Sequence, residues 1–223
     1  MPHRGVSCHL FYDVGPSFIK NLLQKGALPR LERAVAICQD ADLPVRFPRM
    51  AAALGAAYTL AGRVTEAVVP LLTQAVAQTT ATEMVCYQAL CHLSLGETHL
   101  LAGHLEDAHA GAEHTLALAR ERQERGYQSY ALRLLGEIAA RREPPEHEQA
   151  AAYYQQALGL AEELGMRPLQ AHCHRGLGTL FTATGQRERA RTALSIAIEL
   201  YCAMEMTFWL PQAEAALAQV DAR

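Results

Sequence analysis

The apolar positions recur at helical spacing. Leu210, Ala213, Leu217 and Val220 follow one another at intervals of 3, 4 and 3, a single apolar stripe on an otherwise polar segment. A longer register runs through the chain. Five glycines each follow an aliphatic residue, at Val14-Gly15, Leu54-Gly55, Leu95-Gly96, Leu135-Gly136 and Leu177-Gly178, spaced by 40, 41, 40 and 42 residues. Phe18, Tyr58, His99, Ala139 and Phe181 stand three residues after them. Ala27, Ala67, Ala108, Glu148 and Ala190 stand twelve after, and a two-residue slip beside Glu143-Pro144-Pro145-Glu146 brings Ala150 into the fourth place. Small residues at fixed places let two helices of a pair approach closely, and the residue three on shares the glycine's face.

The register predicts an all-α, right-handed superhelical solenoid of about five antiparallel helix pairs with a C-terminal capping helix. The repeats are expected over roughly residues 7–40, 44–80, 84–124, 127–164 and 168–204, with the cap at 209–221, all in one unit spanning 1–223. Leu60-Ala61-Gly62-Arg63, Leu101-Ala102-Gly103-His104 and Ala183-Thr184-Gly185-Gln186 read as turns whose glycine ends a helix in the left-handed conformation. Pro48 and Pro168 suit a first helical turn. Pro70 is expected inside a helix, at a cost of about 3 kcal/mol. Trp209 is expected to plug the core before the cap. Residues 1–13 show no clear helix and Pro16 interrupts the first repeat, leaving an N-terminal edge that a second copy of the chain could cover as a homodimer.

Composition narrows the class. Half the residues are apolar but only 6% aromatic, which favours many thin, closely packed helices. A net charge of −3 argues against general nucleic-acid binding. Cys8, Cys38, Cys86, Cys91, Cys173 and Cys202 form no C-x-x-C pair and read as buried free thiols in a reducing, cytoplasmic setting. No apolar run is long enough for a membrane span.

The triplets Ala150/Tyr154/Ala157, Ala27/Leu31/Ala34 and Ala190/Leu194/Ala197, with the large–small pairs ending in glycine, resemble the tetratricopeptide repeat family. The longer period, and the stretches Leu43–Arg63 and Leu164–Val220, are similar to the C-terminal helical arrays of large bacterial signalling ATPases and cyclases. The resemblance implies a sensor or scaffold part alone, since the chain has neither a G-x-x-x-x-G-K-[ST] loop nor a metal-binding aspartate pair.

In that family the first helix of each pair lines the concave groove. The corresponding positions are Arg49, Ala52 and Ala56; Leu90, Leu93 and Glu97; Tyr130, Arg133 and Glu137; and His172, Arg175 and Thr179. The last six are the candidate partner-binding residues, with Arg133 and Arg175 suited to a carboxylate or acidic peptide. Against this, Arg133 and Glu137 lie four apart and could simply pair on a solvated helix. Neighbours such as His172-Cys173-His174 cannot converge on one ion, and His99 and His104 flank a turn, so no metal and no cofactor are expected. With no nucleophile–base elbow either, the expectation is a non-enzymatic scaffold for a protein or peptide partner, without nucleic acid or membrane. A small-ligand sensor for an attached signalling domain and a homo-oligomerisation element are the alternatives.

Overall fold

Close helix packing needs small residues where backbones cross, and the periodic glycines and alanines supply them. The computed structural model describes residues 27–61, 67–82 and 85–222, and among these it contains ten α-helices and no strand. They are α1 (Ala27–Asp40), α2 (Phe47–Leu60), α3 (Val68–Ala81), α4 (Val85–Leu101), α5 (Leu105–Glu121), α6 (Arg125–Arg141), α7 (His147–Glu163), α8 (Arg167–Ala183), α9 (Arg187–Ala203) and α10 (Leu210–Asp221). Each helix packs on the next, and the first helices of successive pairs also pack on one another, α2 on α4, α4 on α6, α6 on α8 and α8 on α10. The result is a solenoid of stacked helix pairs. The first repeat's Gly15 and Phe18, most of the N-terminal edge, Cys8, the Cys86 side chain and the turn at Gly62 lie outside the described residues.

The register glycines sit where partner helices touch. A Cβ on Gly55 would lie 3.0 Å from Leu72, on Gly96 3.3 Å from the Ala108 carbonyl, and on Gly178 2.5 Å from Leu194 Cγ. Ala108, Ala150 and Ala190, the small residues of the second helices, are fully buried. In the pair α2–α3 the place shifts by one residue: Ala67 is exposed and Val68 is buried.

Among the described residues, six helix ends share one turn. The residue in the left-handed region is Asp42, Gly103, Gln123, Gly165, Gly185 or Glu205. In each, the next residue's N–H reaches back five residues, as from His104 to the His99 carbonyl (2.9 Å) and from Glu124 to the Ala119 carbonyl (2.8 Å). This is the Schellman arrangement, which satisfies carbonyls left over at a helix end. Glycine adopts it freely, whereas a side chain there costs about 1–2 kcal/mol. Gln123 is exposed with φ 57°. Gln123→Gly is therefore expected to stabilise the fold by about 0.5–1 kcal/mol, once the extra freedom of glycine in the unfolded chain is subtracted. A urea midpoint that stays put or falls would contradict this.

A second recurring device joins one pair to the next. Gln88, Gln128 and Gln170, each in the first turn of a first helix, donate from Nε2 to the carbonyls of Thr79, Ala119 and Ala161 at 3.2, 3.0 and 3.0 Å. Ser129 instead ties the two helices of one pair, its buried hydroxyl donating from α6 to the Ala157 carbonyl of α7 at 2.7 Å.

Two expectations are corrected. Pro70 is the third residue of α3, not an interior one. The first four N–H groups of a helix have no intrahelical acceptor, so its missing donor is not felt. Cys38, Cys91 and Cys173 are buried free thiols as expected, but Cys202 is exposed, because it lies on the outer side of α9 beside the buried Tyr201. In α10, Ala213 and Val220 are buried and Leu210 and Leu217 partly so, matching the cap stripe. No helix among the described residues is long and apolar enough to cross a membrane.

Candidate partner-binding face

The first helices of consecutive layers pack on one another, so the stripe on α2, α4, α6 and α8 runs along a side where the layers meet. That packing also buries part of it. Ala52, Leu90, Leu93 and Tyr130 are in the core, so these positions join layers and present little surface.

The charged positions form a ladder across first helices. Arg133 on α6 donates to Glu97 Oε1 of α4 at 2.5 Å and to Glu137 Oε2 of its own helix at 2.9 Å. Arg141 donates to the other Glu137 oxygen at 2.7 Å. The side chains of Arg133, Glu97 and Glu137 retain only 13%, 18% and 23% of their exposure. Arg133 and Glu137 do pair, then, but at a half-dry junction and not on a solvated face.

Electrostatics follow from this placement. Burial pushes the Glu97 carboxyl above its usual range, with Arg133 opposing and Glu137 reinforcing the shift. Burial acts likewise on Glu137, but Arg133, Arg141 and Arg175 together outweigh it and hold that carboxyl below the usual range. Arg133 is raised despite its burial, because both carboxylates favour its charge.

The α8 residues meet α9 and α10. His172 Nδ1 shares a hydrogen bond with the Tyr201 hydroxyl at 2.8 Å, and its ring stands edge-on to Trp209 with centroids 5.0 Å apart. Burial first, then Arg175 and Arg133, hold this imidazole well below its ordinary range, so it is neutral at neutral pH. The Arg175 guanidinium lies 4.7 Å over the Trp209 ring and donates to Gln212 Oε1 at 3.0 Å. Its Nε and the Trp209 Nε1 are both buried donors without a hydrogen-bond partner. Thr179 is exposed, its hydroxyl donating to the Arg175 carbonyl at 3.0 Å. Cys173 is a core thiol, pushed up to about 12 by burial.

The structure thus joins His172 and Arg175 into one cluster and Arg133 and Glu137 into another, with Tyr130 behind them in the core. Glu97, Trp209 and Gln212 complete the clusters and were not among the six candidates. Glu97 stood in the stripe and its 36-residue separation from Arg133 is close to the repeat period, a signal that could have found it.

No protein-family model matches the chain, and no curated protein matches it by sequence. Among solved structures, it is similar to BtubC (BKLC) from P. vanneervenii at 14% identity, covering 92% of this chain and 87% of that one with a TM-score of 0.61. It is also similar to a Podosopora anserina putative kinesin light chain with nearly identical TPR-like repeats, at 18% identity, 85% and 94% coverage and a TM-score of 0.54. A single-substitution form of that protein aligns at 18% identity over 90% of this chain and 99% of that one, with a TM-score of 0.56. At these identities the likeness is one of fold: a TPR-like array of helix pairs.

Proposed function

We propose that the chain is a non-enzymatic interaction scaffold that captures an acidic peptide or helix of a partner protein on the first-helix face of its C-terminal half. The observation that carries this reading is the pair of buried donors without acceptors, Arg175 Nε and Trp209 Nε1, in a cation–π contact. A buried donor left without an acceptor costs about 1–3 kcal/mol, and an incoming carboxylate that displaces the exposed Gln212 amide would accept from both. Arg133 is already occupied by Glu97 and Glu137, so its part is to hold α4 and α6 in register. His172 orients Trp209, Thr179 offers a rim hydroxyl, Glu137 tethers Arg133, and Tyr130 supports the face from the core. If the similarity to signalling ATPases and cyclases reflects ancestry, the same capture would regulate an attached domain.

Trp209 is the chain's one tryptophan, so its fluorescence reports on this site alone. Titration with a poly-glutamate peptide is expected to change that emission, with an affinity at least about tenfold above that for a neutral peptide of equal length. Arg175→Ala should remove the preference, while Arg125→Ala, at an exposed arginine paired with Glu163, should keep it. Equal affinity for the two peptides, or equal losses in the two variants, would sink the proposal.

A further inference from the structure

We propose that His99, His104 and Asp107 bind a divalent first-row transition ion, of which Zn2+ is the natural probe, as a clip across the turn between α4 and α5. Sequence spacing alone set these histidines aside, because they belong to different helices. The turn reverses that conclusion. Gly103 adopts φ 81°, and the His104 N–H reaches the His99 carbonyl. In such a turn these two positions come into side-chain contact. Three of the other five turns carry apolar pairs there, Cys38 with Leu43, Ala161 with Met166 and Tyr201 with Met206, whereas here they carry two imidazoles with ring centroids 5.9 Å apart. Asp107 is in the first turn of α5, three residues beyond His104 and on the same side.

One ligand atom from each of the three lies within 4.8 Å of the other two. Around a tetrahedral ion, bonds of about 2.0–2.2 Å set ligand atoms about 3.3 Å apart, so the side chains need draw in by at most about 1.5 Å. His104 and Asp107 are exposed and free to do so. An independent observation points the same way: His99 Nδ1 is buried and has no hydrogen-bond partner. A metal bound through it supplies the missing partner. Two imidazoles and one carboxylate favour borderline transition ions over Mg2+ or Ca2+, which prefer all-oxygen sets. The positive end of α5 works against a cation, and Glu106 and Asp107 in its first turn offset that.

The test is calorimetric titration of the tag-free, chelator-treated full chain with ZnCl2, with circular dichroism checked for every variant. One ion per chain is expected, with no heat from MgCl2. His104→Ala and Asp107→Asn, both at exposed positions, should each weaken binding by at least about tenfold. His114→Ala removes half of a different close imidazole pair, His92 with His114 at 4.0 Å between centroids, and should leave the affinity unchanged. Absence of Zn2+ binding, undiminished affinity in His104→Ala or Asp107→Asn, or an equal loss in His114→Ala overturns the proposal.

Discussion

Arg133→Ala is expected to lower the free energy of unfolding by about 3–5 kcal/mol, the range seen when one partner is removed from a buried ion pair. The substitution leaves Glu97 and Glu137 facing each other at a junction from which water is largely excluded. Glu97 already resists ionisation there, and without Arg133 only Arg141 and the more distant Arg175 would oppose the second carboxylate. Most of the loss is therefore the cost of stranded charge and not the worth of the pair itself. The triple variant Glu97→Gln, Arg133→Met, Glu137→Gln strands no charge and should recover most of the stability. Urea unfolding of the two variants measures the difference. A loss below about 1 kcal/mol in Arg133→Ala would mean that the ladder is screened like an ordinary surface pair. For the same reason Arg133 is a poor position at which to test partner binding, and Arg175 is the better one.

Tyr154→Ala should cost about as much, roughly 3–5 kcal/mol, by emptying the space between two repeats. The ring is buried on α7 and pressed by glycines from both neighbouring first helices. A Cβ on Gly136 of α6 would lie 3.1 Å from its Cγ, and one on Gly176 of α8 would lie 2.5 Å from its Cε1 and Cζ. Held from both helices, the ring has little room to turn aside. Gly176→Ala is accordingly expected to destabilise by about 1–3 kcal/mol from overpacking, although alanine is the better helix former. In a Tyr154→Leu background that penalty should largely vanish, because the branched side chain leaves room for the methyl. A double-mutant cycle with additive losses would show that the clamp does not exist.

Much of the fold was legible because the constraint behind it is local and repeated. Gly55, Gly96 and Gly178 could be named from a 40-residue spacing since each must admit the partner helix of its own pair. Gly176 could not, because the residue it admits, Tyr154, comes from the preceding pair. The turns at Gly103 and Gly185 announced themselves, while those at Asp42, Gln123 and Glu205 place ordinary side chains in the left-handed region and carried no glycine signal. The misplacement of Pro70 arose from a helix that begins one turn later than the register implied.

The candidate face was less legible. Helical spacing placed Tyr130, Arg133 and Glu137 on one stripe, and His172, Arg175 and Thr179 on another, but spacing is silent on how far a stripe turns toward the next layer. That rotation buries Tyr130 and leaves Thr179 exposed. It pairs Arg133 with Glu97, 36 residues away, and brings Gln212 to Arg175 across 37 residues.

By itself, then, the sequence determined that the chain forms stacked helix pairs and where their helices cross, because periodic small residues and periodic apolar faces have one low-energy packing. Only the tertiary structure decided which arginine is occupied and which donors lack acceptors, and that two histidines set aside as unrelated meet across a turn. Those outcomes depend on interhelical rotation and on the back-bonded geometry of the turn, which side-chain packing along the whole array sets jointly and no single segment encodes.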